Sequence, residues 1–436
     1  MTGIEGRTVA AATRYFPERG DPGYHVRHYD LALEHRLGPN RLSGTARLTA
    51  VAAEPLDRVE LDLGPFQVGQ VLVDGERARF AHRDEKLRVT PPRWLPEGRT
   101  FTVEVRYAGN PRPVPSHWGG LGWDQLDDGV IVASQPIGAS SWFPCNDRPC
   151  DKASYDIAVT TASPYTVVCN GTPVSTRRGG SRTTWVYRQE EPTAAYLASV
   201  QIGRYQLAAL PGEVPQRLAA PAALHSRARH DLGRQEQMMR VFRELFGPFP
   251  FASYTVVVTE DELEIPVEAQ AMSIFGANHM DGRRGSERLV AHELAHQWFG
   301  NSLTLRHWRD IWLHEGFATY AEWLWSEASG GEPAEAHARR WHARLADRPG
   351  GFVLADPGAR RLFDDRVYKR GALTLHALRR VLGGPAFTSL LRVWTDAYRH
   401  GVVTTGMFTE LAGHYTPEPL DAFFESWLYT ETLPPL

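Results

Sequence analysis

The segment HELAH at residues 292–296 contains two histidines four residues apart, with a glutamate directly after the first. Residues four apart lie on the same face of a helix, so the imidazoles of His292 and His296 can bind one metal ion. Glu293 lies further round the helix, where it can reach a water molecule on that ion without being a ligand. The pattern predicts a zinc site in which His292 and His296 are ligands and Glu293 is the general base.

A catalytic zinc ion is typically held by three protein ligands and keeps one position open. Eighteen residues separate His296 from Glu315, which lies in the sequence IWLHEGFA. This stretch also has a helical pattern, and a turn of about ten residues would let it pack back against the first helix. We therefore predict Glu315 as the third ligand.

Other polar residues near these two segments are predicted to support the site without binding the metal. His307, His314 and His376 are predicted to be packing residues or to support the ligands, and not to bind the metal. Asp310 is a candidate for orienting one ligand histidine through the imidazole N–H that does not face the metal. The alternative for the whole motif is a surface helix with two incidental histidines. The apolar residues within 289–299 argue against this alternative, because they give the helix an apolar face.

The composition is that of an ordinary globular protein. The chain has 436 residues, enough for two or three packed units, and a formal net charge of -3, which gives no argument for nucleic acid or an anionic membrane as a partner. Three cysteines, Cys145, Cys150 and Cys169, argue against a disulfide framework. No apolar run approaches the roughly 18 residues of a membrane helix. We predict a soluble, cytoplasmic protein.

The sequence divides into two parts by its hydrophobic period. From about residue 24 to 208 apolar residues alternate as in strands, with a hairpin signal at Asp74-Gly75, whereas helical spacing dominates in the later part. Two Pro- and Gly-rich stretches, 109–122 and 210–221, are predicted to be loops or a domain seam. The predicted fold is therefore α+β, with a β-rich domain at residues 1–208 and a mixed α/β, then mainly helical, domain at residues 209–436.

The motifs resemble those of the M1 family of zinc aminopeptidases, the gluzincins related to aminopeptidase N and leukotriene A4 hydrolase. The family's HExxH-x18-E pattern fits residues 292–323, HELAHQWFGNSLTLRHWRDIWLHEGFATYAEW. Its PCxDxP segment is similar to residues 142–149, WFPCNDRP, and its VYxKGA segment to residues 367–372, VYKRGA. The resemblance implies a saddle-like β domain followed by a thermolysin-like catalytic domain, in a short form without the family's C-terminal helical domain.

The resemblance also implies roles for residues outside the zinc motif. Tyr368 would donate its hydroxyl to the oxyanion of the tetrahedral intermediate; its alternative is a core tyrosine. Glu268, 24 residues before His292, would bind the free α-amino group of the substrate, although the residues around it depart from the family's GxMEN segment. Gln135 occupies a position where many members carry a second amine-binding glutamate, and Arg370 replaces the usual lysine of the tyrosine segment.

Together these features predict a zinc-dependent aminopeptidase with one Zn²⁺ per chain, acting on peptides that have a free N-terminus. Two alternatives remain open: a specialised maturation protease or endopeptidase that trims a dedicated peptide, and a non-catalytic peptide-binding relative that has lost the metal. The preferred N-terminal residue and the oligomeric state are left open by the sequence.

Overall fold

The computed structural model describes residues 15–348 and 350–436. The chain forms two compact units, each built from separate stretches of sequence. The first unit comprises Glu18–Arg229 and Phe251–Gly282, and the second comprises 15–17, His230–Pro250 and Arg283–Leu436. The predicted boundary between residues 208 and 209 stays a prediction.

The first unit consists almost entirely of strands. Its elements are β1 Tyr24–Arg36, β2 Arg41–Ala52, β3 Val59–Asp62, β4 Gln67–Val73, β5 Glu76–Arg77, β6 Arg79–Arg83, β7 Lys86–Thr90, β8 Thr100–Gly109, β9 Val114–Ser116, β10 Gly119–Leu126, β11 Gly129–Ala133, β12 Lys152–Ala162, β13 Thr166–Cys169, β14 Thr172–Gly179, β15 Arg182–Ala194, β16 Val200–Gly203, β17 Tyr205–Leu210, β18 Gln216–Pro221, the helix α1 His225–Asp231, which runs into the second unit, β19 Tyr254–Val258, β20 Val267–Ala269 and β21 Met272–Phe275.

Three larger sheets and one small one organise these strands. The order is β14-β15-β12-β1-β2-β8-β4-β5 in the eight-stranded sheet, β13-β16-β11-β10-β9 and β17-β18-β19-β21-β20 in the two five-stranded sheets, and β3-β7-β6 in the small sheet. Buried and less buried residues alternate along β1 and β12, because successive side chains point to opposite faces of a sheet. The buried faces share one large apolar core in this unit.

The hairpin between β4 and β5 has the tight turn that the sequence predicts. Val73 pairs with Glu76, so Asp74 and Gly75 form a two-residue loop, and both have positive φ angles, 50° and 81°. A two-residue loop of this kind needs two left-handed residues, and Asp-Gly tolerates them with little strain.

A buried polar cluster surrounds the segment WFPCNDRP in the first unit. Asp62 lies at its centre: its carboxylate pairs with the Lys86 ammonium at 2.8 Å and accepts the backbone N–H of Asp147 at 3.1 Å. Burial and the nearby charge of Asp62 raise the pKa of the Asp147 carboxyl to about 8. The segment therefore places two carboxyl groups, those of Asp62 and Asp147, close together in the buried interior of this unit.

The second unit is mainly helical. Its elements are α2 Gln235–Phe246, α3 Glu287–Ala295, β22 Thr304–Leu305, α4 Trp312–Ala328, α5 Ala334–Ala346, α6 Asp365–Leu382, α7 Gly384–Ala397, β23 Val402–Val403, α8 Thr405–Gly413 and α9 Asp421–Phe424, which continues into a π-helical turn, Glu425–Tyr429. The helix α4 is apolar nearly all round, and residues 312–325 are all buried. It therefore forms the centre of the unit.

The predicted α+β fold, β-rich first and mainly helical later, is confirmed. The prediction that the two Pro- and Gly-rich stretches are loops is wrong in part for both. The stretch 210–221 contains β18, which lies between β17 and β19 in its sheet, because the pairing on both sides outweighs the weak strand preference of its alanines. The stretch 109–122 likewise contains β9 and the start of β10. Among the described residues, no helix combines the length and the apolar character needed to cross a bilayer.

Candidate metal centre and active site

The helix α3 carries the two histidines of the HELAH segment. It begins after Ser286 and ends at Ala295, and His296 follows with dihedral angles that are still helical, φ -56° and ψ -23°. The backbone therefore keeps His292 and His296 one turn apart on one face, and their ring centroids are 4.7 Å apart. Both side chains are buried, as is Glu293 between them.

The helix α4 brings Glu315 to the same place. Its Oε2 lies 3.4 Å from Nε2 of His292 and 3.5 Å from Nε2 of His296. One donor atom from each of these three residues lies within 4.8 Å of the other two. The structure thus brings together the three residues that the sequence predicts as metal ligands.

The other nitrogen of each imidazole is engaged by the protein, which fixes the orientation of the ring. Nδ1 of His292 donates to Oε1 of Glu322 at 2.8 Å, and Nδ1 of His296 donates to the backbone carbonyl of Phe299 at 3.0 Å. In the neutral, metal-binding form of each imidazole, Nε2 is consequently the acceptor, and it lies on the side of Glu315. This arrangement is the one by which proteins commonly set the tautomer and direction of metal-binding histidines.

Glu322 is the functional residue that the sequence analysis missed. It follows Glu315 by seven residues, which is two helical turns, so both carboxylates lie on the same face of α4. Arg288 donates to both oxygens of Glu322 at 3.0 Å, which holds the carboxylate toward α3. The seven-residue spacing after the third ligand is the signal that could have identified it.

The charges around the site keep both carboxylates ionised. Burial alone raises the pKa of Glu322, but the hydrogen bond from His292, with the charges of Lys369 and Arg288, lowers it to about 2. Burial likewise raises the pKa of Glu315, and the two histidines outweigh it, so that the pKa of this carboxyl lies well below its usual range. For His292, burial lowers the pKa, and hydrogen bonds to Glu315 and Glu322 raise it to about 9. A cation is therefore strongly favoured at this position.

The donor set and its spacing fit zinc. Two imidazole nitrogens and one carboxylate form a known ligand set of catalytic zinc. Ligands about 2.0–2.1 Å from a metal at tetrahedral corners are roughly 3.3–3.4 Å from each other. The distances of 3.4 and 3.5 Å from Glu315 to the two histidines agree with this spacing. His292, His296 and Glu315 could therefore hold Zn²⁺ with little rearrangement.

Tyr368 lies on α6, beside the first ligand. Its ring is nearly parallel to that of His292, at an interplanar angle of 23° and a centroid distance of 6.0 Å. The side chain is only half-buried, unlike that of a core tyrosine. Tyr368 thus has access to a molecule bound at the three-residue site.

Two glycines set the spacing between the helices that carry Glu315 and Tyr368. Gly316 follows Glu315 on α4, and Gly371 lies three residues after Tyr368 on α6. A Cβ atom on Gly371 would lie 2.7 Å from Cα of Gly316, closer than such contacts occur in proteins. The two helices therefore touch through their backbones at this point.

The predicted amine-binding residues belong to the first unit. Glu268 is buried on β20, where it pairs with Ser273 of β21. Gln135 lies two residues after the end of β11 and precedes Pro136. Its Nε2 is buried and has no hydrogen-bond partner among the residues the structure describes. The roles of both residues stay predictions.

The prediction that Asp310 orients a ligand histidine is wrong. Its Oδ1 accepts hydrogen bonds from the backbone N–H and the hydroxyl of Thr405, while the ligand histidines are oriented by Glu322 and Phe299. His314 accepts the backbone N–H of Leu305. The ring nitrogens of His376 form hydrogen bonds with Tyr320 of α4 and Glu335 of α5. These two histidines support packing, as predicted.

Comparison with known proteins agrees with this site. Residues 231–427 match the peptidase family M1 domain, and residues 25–197 match the peptidase M1 N-terminal domain. A crystal structure of an M1 zinc metallopeptidase mutant from Deinococcus radiodurans, bound to a Tyr-Ser-Ala substrate, is 32% identical with a TM-score of 0.90, covering 97% of this chain and 98% of that one. The chain belongs to the M1 family of zinc metallopeptidases.

Other M1 proteins are more distant in sequence. Leucine aminopeptidase 2 of Eremothecium gossypii is 24% identical over 456 residues, which cover 99% of this chain and 72% of that protein. Leukotriene A-4 hydrolase of Xenopus laevis is 22% identical over 454 residues, with 95% and 72% covered. The family confirms the prediction that this M1 chain is a zinc-dependent hydrolase of the aminopeptidase type.

Proposed function

We propose that this M1 chain removes the N-terminal residue from peptides, using one zinc ion held by His292, His296 and Glu315. The observation that carries the proposal is the convergence of the three donor atoms, with both imidazoles turned toward Glu315 by partners on their other nitrogen. When bound, zinc supplies a Lewis acid that polarises the scissile carbonyl and makes a water molecule more acidic.

Glu293 moves the proton in this proposal. It follows the first ligand on α3 and is nearly fully buried, so its carboxylate is held rigidly beside the three donors and is shielded from bulk water. It takes a proton from the attacking water and returns it to the leaving amine. A carboxylate can serve both steps because it is regenerated in its ionised form.

Tyr368 stabilises the charge that develops on the carbonyl oxygen. Its ring lies alongside that of His292, and its side chain is only partly buried. A hydroxyl in this position donates a hydrogen bond that is stronger in the transition state than in the bound peptide.

Selectivity for the N-terminus is assigned to Glu268. The substrate's α-ammonium group is substantially charged near neutral pH, and a buried carboxylate favours it over a neutral amide. Gln135 adds a neutral amide whose nitrogen has no partner in the described part of the chain. One charge is therefore available for the amine from these two residues.

We also propose that the enzyme works in the cytoplasm. All three cysteines are free thiols, two of them buried, which suits a reducing compartment. The peptides themselves are its proposed partners, and no nucleic acid or membrane is invoked.

The test compares aminoacyl anilides with their N-acetylated forms in wild type, Glu268→Ala and a control, Glu264→Ala, which removes an exposed carboxylate four residues earlier. Wild type and control should prefer the substrate with a free amine. Glu268→Ala should lower the ratio of kcat/KM for the free substrate to kcat/KM for the acetylated substrate by about 30-fold or more, as expected for a desolvated ion pair worth about 2–4 kcal/mol.

Equal cleavage of free and acetylated substrates by wild type would refute the aminopeptidase proposal and favour the endopeptidase alternative. Elemental analysis separates both from a non-catalytic relative, since that alternative requires purified protein without stoichiometric zinc.

A further inference from the structure

Arg370 is a buried cation with an unusual set of partners. It lies on α6, two residues after Tyr368, and only 3% of its surface is exposed. Within the described residues its guanidinium contacts no carboxylate and instead donates, at 2.7–3.2 Å, to backbone carbonyls. These belong to Phe352, Ser426, Trp427, Thr430, Glu431 and Thr432.

Five of the six carbonyls come from one short stretch, residues 426–432, which we name the anchor segment. It includes the end of the π-helical turn, where backbone carbonyls have no partner within the helix and carry partial negative charge. Burial lowers the pKa of Arg370 to about 10, so the side chain is still protonated at neutral pH. The guanidinium thus brings a charged donor to a group of carbonyls, two of which, those of Trp427 and Phe352, belong to buried residues.

The anchor segment is also tied to the chain that leads into α6. The backbone N–H of Ala355 donates to the carbonyl of Leu428 at 3.0 Å, and Leu428 itself is fully buried. Arg370 reaches the same connection through the carbonyl of Phe352 at 2.7 Å. One side chain therefore joins α6, the anchor segment and the connection between α5 and α6.

Tyr368 is the fourth residue of α6 and so lies in its first turn. The first backbone N–H groups of a helix have no partner within it, and contacts with residues outside the helix therefore help to orient this turn. Both sequence neighbours of Tyr368 are also held: Val367 is buried, and the Lys369 ammonium lies 4.9 Å from the centre of the Trp341 ring. Arg370 adds the hydrogen bonds to the anchor segment.

We propose that Arg370 is a positioning residue for Tyr368: by fastening the anchor segment to α6, it holds the tyrosine hydroxyl where the carbonyl oxygen of the substrate develops charge. The inference rests on the function proposed above. Lysine, the family's usual residue at this position, has three donors and no planar fork, so in this chain it would reach at most half of the six carbonyls.

A double-mutant cycle tests this role. Arg370→Lys should lower kcat by about tenfold or more with KM within about twofold, since a shift of about 1 Å in a catalytic group costs up to about 10²-fold. Tyr368→Phe alone should lower kcat by about 10²–10³-fold. In the Tyr368→Phe background, adding Arg370→Lys should change kcat by less than about twofold, because the group that Arg370 positions is already gone.

Two further variants make the result specific. Arg380→Lys, an exposed arginine on the same helix, is the matched control and should leave kcat unchanged. Leu428→Val loosens the anchor segment without altering Arg370, and its loss of kcat should likewise disappear in the Tyr368→Phe background. If Arg370→Lys yields no folded protein, Leu428→Val still tests the inference. Zinc content should equal that of wild type in every variant.

The outcomes distinguish this inference from the proposed function. If Arg370→Lys or Leu428→Val lowers kcat by the same factor with and without the tyrosine hydroxyl, or lowers only the melting temperature, Arg370 is a structural anchor and the inference is wrong. If Tyr368→Phe has no effect on kcat, the proposed role of Tyr368 fails, and the inference fails with it.

Discussion

Replacing Glu322 with Gln should weaken zinc binding without removing any ligand. The substitution keeps the size of the side chain and an oxygen that can accept the N–H of His292. It removes the charge, and it places an amide N–H₂ toward Arg288, whose guanidinium now donates to both carboxylate oxygens at 3.0 Å. The amide nitrogen cannot accept from Arg288, so Arg288 keeps a contact only with the neutral amide oxygen, which it shares with His292.

The expected magnitude follows from the same contacts. Loss of a partner that orients a ligand histidine typically costs about 10–100-fold in metal affinity, or about 1.4–2.7 kcal/mol. The bond from Nδ1 of His292 to Glu322 is 2.8 Å long, and the carboxylate side chain is only 3% exposed, so water screens it little. We therefore expect a loss in the upper half of that range.

The measurement is the zinc dissociation constant, from competition with a chromogenic chelator at neutral pH. Glu327→Gln is the matched control, because Glu327 lies on the same helix and also pairs with an arginine, Arg379, at 2.9 Å but makes no contact with a ligand histidine. Equal zinc affinity in Glu322→Gln and wild type would show that His292 does not need this carboxylate, and the argument would be refuted.

Three other changes test separate parts of the molecule. Glu293→Gln should keep zinc bound and lower kcat by about 10²–10⁴-fold, and a zinc-loaded variant with near wild-type turnover would contradict its role as base. Tyr368→Phe should lower kcat by about 10²–10³-fold with KM nearly unchanged in steady-state assays, whereas an unchanged kcat would make it a packing residue. Burial raises the pKa of Asp147 from 3.8 to about 8, so the protonated form stabilises the fold at low pH and this stabilisation is lost as pH rises through the folded pKa. Asp147→Asn should therefore flatten the fall in melting temperature between about pH 5 and 8, and parallel curves for the two proteins would argue against it.

The parts of the site that the sequence predicts best depend on local geometry. His292 and His296 are related by one helical turn, and the Asp74-Gly75 hairpin by two residues, so short-range spacing is enough to place them. The prediction of Glu315 as a ligand also required the assumption that a second helix packs against the first. That expectation came from the apolar pattern of residues 311–324.

The parts that the sequence does not predict depend on packing between distant segments. Asp310 is close to the ligands in sequence but bonds to Thr405, nearly a hundred residues later, and no local pattern indicates that choice. The strand β18 has a composition that does not favour strands, and only its two neighbours in the sheet specify it. The sequence also does not predict which backbone carbonyls surround Arg370, since every residue type carries one.

The backbone contact between Gly316 and Gly371 limits how the active site can adapt. Two helices that already touch through main-chain atoms cannot come nearer to each other, whatever binds beside them. They can still slide along or rotate about one another. A small substrate therefore cannot be gripped by a narrowing of the gap between the helices, and any closer fit must come from the rotamer of Tyr368 or from such sliding. A single methyl group at residue 371 would widen that gap, so this position offers a way to alter the separation of Glu315 and Tyr368 without replacing either residue.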